Sequence, residues 1–65
     1  MRITLIETDR DTQNQNTTQW FLVEGVSFGL CHNQDRSCQL LDSEGYPIDD
    51  CNDHEKLKAM LMAYN

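Results

Sequence analysis

The sequence predicts an α+β fold, an antiparallel β-meander of three to five strands with one C-terminal helix packed on the sheet. Three observations lead there. Four short apolar or alternating runs of strand length are separated by polar or glycine-bearing segments. The last segment instead repeats its apolar residues at helical spacing. Finally, 65 residues, of which 38% are hydrophobic, suffice for a single domain over 1–65 with one thin core.

Residues 2–8 alternate as a strand, with Ile3 and Leu5 on one face and Arg2 and Thr4 on the other. The tract from Asp9 to Thr17 has no large apolar residue and reads as a long hairpin connection. Residues 18–24 (TQWFLVE) make the strongest strand. Their apolar side chains fall on both faces, so either Phe21 and Val23 or Trp20 and Leu22 should lie on a face that the helix leaves partly uncovered. Gly25 suits a tight turn. In residues 26–31, Val26, Phe28 and Leu30 should point inward and Ser27 and Gly29 outward. A turn at 32–36 leads to a strand at 38–41, and a second turn at 42–45 ends on Gly45. Tyr46-Pro47-Ile48 then fits a short edge segment, where proline is tolerated.

The helix should begin near Asn52, whose side chain suits an N-cap, with Glu55 completing a capping box. Asp53 adds negative charge at the end of the helix where the dipole favours it. Leu57, Met60, Leu61 and Tyr64 form the apolar stripe expected to lie on the sheet.

Composition narrows the function classes. Eleven acidic residues against five basic ones give a net charge of −6. Such a charge repels nucleic acid and anionic membranes, so neither is expected as a direct partner, and it favours a basic one. It also serves solubility, as on many small domains. Met1 to Glu7 holds only a brief apolar run that an acid ends, unlike a signal peptide, and no stretch approaches the ~20 apolar residues of a membrane span. Three cysteines, an odd number, suit free thiols in a cytoplasmic setting.

Chemistry-bearing patterns are sparse. Cys31, Cys38, Cys51 and His54 are the residue types of a Cys3His zinc site, with His32 to spare. However, six residues separate Cys31 from Cys38, where such sites pair ligands two to four apart. No metal and no cofactor is expected. Cys31 neighbours His32, but adjacent strand residues point to opposite faces. With neither a nucleophile elbow nor a phosphate loop, the chain reads as a non-enzyme.

The acidic distribution is more informative. No Lys or Arg falls between Ser37 and Glu55, yet Asp42, Glu44, Asp49, Asp50, Asp53 and Glu55 do. Glu7, Asp9 and Asp11 form a second series at steps of two, which an extended chain points one way at about 7 Å intervals. That spacing lies in the range of successive phosphates on a nucleic-acid strand. The plainer account is that acids favour turns and helix starts. As surface residues, Asp42 and Glu44 should be reversible to Lys without harm to folding.

In these features together (length, strong acidity, an α+β meander with a helix, and no catalytic motif) the chain resembles the small acidic proteins that bacteriophages use against their hosts, in particular anti-CRISPR proteins. The resemblance implies a cytoplasmic inhibitor in the bacterial host. It would bind the basic DNA-binding surface of a CRISPR surveillance complex, with the two acidic rows standing in for DNA. An interaction or adaptor module that binds through apolar surface or a sheet edge is the alternative reading. The residues do not decide between monomer and homodimer.

Overall fold

A computed structural model describes residues 2–48 and 52–64. Four strands run in chain order: β1 (Ile3–Asp11), β2 (Asn16–Val23), β3 (Val26–His32) and β4 (Cys38–Leu41). They pair antiparallel as neighbours in the order β1-β2-β3-β4, and one helix, α1 (Asn52–Met62), packs chiefly on β3. This is the expected α+β meander.

The register separates two faces, because directly paired residues share a side. On the helix side the cross-strand rows are Ile3–Val23–Val26, Leu5–Phe21–Phe28, Thr8–Gln19–Leu30–Leu40 and Arg10–Thr17–His32–Cys38. Phe21, Val23, Leu30 and Leu40 are buried there with Leu57 and Leu61 of the helix. Ile3, Leu5, Phe28, Cys38 and Ile48 pack around them. The choice left open by the β2 sequence is thus settled. Phe21 and Val23 go under the helix, while Trp20 and Leu22 take the open face.

The helix begins at Asn52 as expected. The side chains of Asn52 and Asp53 lie outside the described set, and with them the capping bond. Its seam is narrower than the sequence stripe. Leu57 and Leu61, four residues apart, are buried, but Met60 is 37% exposed. A helix of 11 residues on four short strands seats only one ridge. Tyr64 lies beyond the helix end, and its ring meets Phe21 edge-on at 5.2 Å between centroids.

The first connection differs from the expectation in an instructive way. The polar tract 9–17 is not a long loop: β1 runs on to Asp11 and β2 starts at Asn16, leaving a four-residue turn. Pairing supplies what composition lacks, since Asp9, Arg10 and Asp11 lie opposite Thr18, Thr17 and Asn16. The register of β1 also shifts between Leu5 and Glu7, a β-bulge that inserts Ile6. The Glu24-Gly25 turn has positive φ at both residues (50° and 82°), the pattern of the two-residue hairpin whose twist matches its strands.

Gly29 is fixed by a close approach. A Cβ there would sit 2.9 Å from Cζ3 of Trp20 and 3.1 Å from two further ring atoms, so the indole lies across the bare backbone. Gly29→Ala should therefore cost about 1–3 kcal/mol through overpacking. In urea unfolding, adding Trp20→Leu to that variant should cost less than the two single changes summed. Leu61→Ala should cost about 2–5 kcal/mol; an unchanged melting temperature would place Leu61 outside the core.

Candidate functional site

The open face is built from the same register. Its rows are Glu7–Trp20–Gly29–Leu41 and Asp9–Thr18–Cys31–Gln39, with Asp11 opposite Asn16 and Leu22 opposite Thr4 and Ser27. The bulge decides this. In unbroken alternation Glu7, Asp9 and Asp11 would follow Ile3 and Leu5 onto the helix side. One inserted residue reverses their phase and turns them to the uncovered side. Glu7 and Asp9 are exposed there, next to a half-buried Trp20 and the 39% exposed Leu22.

The other acids are placed differently. Asp11 is half-buried, and its carboxylate closes the first turn: Oδ1 accepts from the backbone N–H groups of Gln13 and Asn14 (both 3.1 Å), and Oδ2 from Asn14 Nδ2 (2.8 Å). Asp35 does the same after β3, where its Oδ1 accepts from Ser37 N (3.0 Å) and Ser37 Oγ (2.6 Å). Asp42 holds the turn after β4, its Oδ1 accepting from the N–H groups of Glu44 and Tyr46, both at 2.9 Å. Asp42 is thus a turn fastener, and its reversal to Lys should loosen that turn, unlike reversal of the exposed Glu44. Glu44 and Glu55 are exposed. Asp49 and Asp50 fall outside the described residues, as does the side chain of Asp53.

Among the described residues, the strand acids and the turn acids stand apart. Glu7 and Asp9 sit on β1 at one edge of the sheet, and Asp42 and Glu44 follow β4 at the other. Three inter-strand spacings, about 14 Å, lie between those edges.

A second constellation escaped the sequence reading. On the helix side, His32 Nε2 lies 2.7 Å from Gln19 Oε1, and His32 Nδ1 lies 3.4 Å from Cys38 Sγ. His32 and Cys38 are direct cross-strand partners. The sequence reading placed His32 in a turn, whereas β3 carries it as its last residue. Pairing the strand ends across the Asn33–Ser37 connection was the signal that would have found it. Cys31, one residue away, faces the open side and lies 3.6 Å from Asn33 Oδ1. Cys31 and Cys38 therefore occupy opposite faces and cannot share a metal ion. Among the described residues no group of three or more His, Cys, Asp or Glu could hold one. Cys51 lies outside that set.

Among the described residues no helix is long and apolar enough to cross a membrane. No family model matches the chain, and searches of curated proteins and of solved structures find no match.

The turn carboxylates make a pH prediction. The Asn14 side-chain amide, followed by its backbone N–H, holds the Asp11 carboxyl below its ordinary value of 3.8, and the Ser37 hydroxyl and backbone do the same for Asp35. A carboxyl depressed on folding contributes stability that is complete above its unfolded value and is lost as pH falls through the lower folded one. Both turns should therefore hold at neutral pH and loosen only below that ordinary value. Amide NMR of Asn14 and Ser37 on acid titration checks this. Asp11→Ala should abolish the transition at Asn14 and leave that at Ser37.

Proposed function

We propose that this chain is a non-catalytic inhibitor that docks the open face of its sheet on a basic, DNA-binding protein surface, in the manner of the anti-CRISPR proteins it resembles. The observation that carries the reading is the bulge at Ile6, which aligns Glu7 and Asp9 on the uncovered face beside Trp20. Exposed carboxylates at two-residue steps offer Lys and Arg a row of acceptors about 7 Å apart. An adjacent indole adds a face on which a guanidinium can stack. The net charge of −6 draws such a surface in and repels the nucleic acid it would otherwise hold.

One observation favours an adaptor instead. Leu22 is exposed on the same face as Trp20, and Tyr46 is 64% exposed beyond β4, so apolar contact is on offer. The sheet-edge version of that reading is weaker. The β1 edge carries the bulge and the charges of Glu7, Asp9, Arg10 and Asp11, features that discourage an added strand.

The test is a competition titration with a CRISPR surveillance complex, its labelled target DNA and this protein. DNA and protein should exclude one another, and affinity should fall steeply with salt, since exposed charges are screened within about 8 Å at physiological ionic strength. The double reversal Glu7→Lys/Asp9→Lys should weaken binding at least ~10-fold, which corresponds to about 1.4 kcal/mol, with Glu44→Lys weakening it less. Simultaneous binding with salt-indifferent affinity overturns the inhibitor reading. Loss of binding on Leu22→Ser or Tyr46→Ala, with tolerance of the double reversal, favours the adaptor.

A further inference from the structure

The group of Gln19, His32 and Cys38 has the parts of an activated nucleophile: a thiol, a base beside it and a third group that orients the base. Three strands deliver them to one side of the sheet, because Gln19 pairs with Leu30, two residues before His32 on β3, and His32 pairs with Cys38. The roles follow from hydrogen-bond chemistry. The carbonyl oxygen of Gln19 can only accept, so the imidazole donates from Nε2 at 2.7 Å. That fixes the neutral tautomer and leaves the Nδ1 lone pair toward Cys38 Sγ at 3.4 Å. Cys31 provides a contrast inside the same molecule. Its neighbour is an amide oxygen of Asn33, which is not a base of comparable strength. Both thiols are free and partly accessible.

We propose that Cys38 is a thiol-modification site, primed by His32 and positioned by Gln19, that takes low-molecular-weight disulfides as its reactant. The Cys38 proton moves to His32 Nδ1, and the resulting thiolate attacks one sulfur of the disulfide. A bond forms between Cys38 Sγ and that sulfur as the bond between the two reactant sulfurs breaks. The departing thiolate carries away the electron pair and takes the proton from His32, so imidazole is restored. Cys38 is oxidised to a mixed disulfide, and the other half of the reactant is reduced to a thiol. The added group lies on the helix side, across the sheet from Glu7, Asp9 and Trp20, so this inference stands or falls separately from the proposed binding face.

The full chain is treated with glutathione disulfide at neutral pH and sampled over time. Trypsin cuts after Arg36 and places Cys31 and Cys38 in different peptides, while fragment ions separate Cys38 from Cys51. Cys38 should form its mixed disulfide at least ~10-fold faster than Cys31, a threshold set below the ~10²–10⁴-fold that a positioned base supplies. His32→Gln should bring Cys38 to the rate of Cys31 and leave Cys31 unchanged. Gln19→Leu should slow Cys38 in part, and Gln19→Glu, which keeps an acceptor for Nε2–H, should restore the rate. If His32→Gln unfolds the chain, Cys31 accelerates too, and Gln19→Leu then decides: a slower Cys38 with constant Cys31 supports the site, and no slowing overturns it. Equal rates at Cys38 and Cys31 in the unaltered protein overturn the proposal, as does a fast Cys38 that is indifferent to a folded His32→Gln.

Discussion

The extra residue at Ile6 sets the phase of the first strand, and the division of the sheet into two unlike surfaces depends on it. Ile3, Leu5, Glu7, Asp9 and Asp11 are all odd-numbered. Regular pleating would put all five on one side, and the acids would then line the rows of Gln19 and His32, where the exposed Thr8 and Arg10 now stand. One bulge keeps them apart from that side. Ile3 and Leu5 stay against Phe21 and Val23, and the acids turn to water, opposite Trp20, Thr18 and Asn16.

The open face then needs order of its own without a covering helix. Trp20 supplies some of it by lying across Gly29, whose missing side chain makes room for the indole. Glycine in a strand interior ordinarily weakens it by leaving nothing to pack; here an aromatic ring from the neighbouring strand fills the gap. The turns are ordered by a different device. Three aspartates, Asp11, Asp35 and Asp42, accept backbone hydrogen bonds within the connections that follow β1, β3 and β4. Asp11 and Asp42, two of the acids that drew attention in the sequence, therefore serve local fastening, as turn preferences imply. The carboxylates with a free outlook on the open face reduce to Glu7 and Asp9, since Asp11 is half committed to its turn.

How much of this was legible in the sequence depended on whether the signal was local. The turn at Gly25, the inward side of Phe28 and Leu30, the strand Cys38–Leu41 and the helix start at Asn52 are written in short-range patterns, and each forms as read, whereas Val26, expected inward, is 51% exposed at the start of β3. The bulge is not. Ile6 is as apolar as the Leu5 before it, and only pairing with β2 shows that it is the extra residue. The extension of β1 to Asp11 likewise rests on partners in β2 rather than on the polar residues themselves. At the candidate site, the acidic steps of two were visible but the face they occupy was not. The contact of His32 with Cys38 was hidden because placing His32 in a turn broke the pairing that brings them together.

That pairing shows how a sheet one residue thick keeps two chemistries apart. Cys31 and His32 are consecutive, yet one faces Asp9 and Thr18 on the open side and the other meets Gln19 and Cys38 beneath the helix side. Alternation alone provides this insulation, with no second layer of protein between the two surfaces. A negative charge on Asp9 is therefore solvated on its own side, where water screens it from the imidazole. The thiol–imidazole pair in turn can change its covalent state while the carboxylate row keeps its spacing, which is set by the backbone of β1. The bulge links the two sides, because pairing Ile6 into the ladder would exchange the faces of Glu7 and Thr8 and bring carboxylates toward the row that holds Gln19. Deleting Ile6 outright should instead leave both surfaces in place, since Leu5 and Glu7 already pair with consecutive residues of β2.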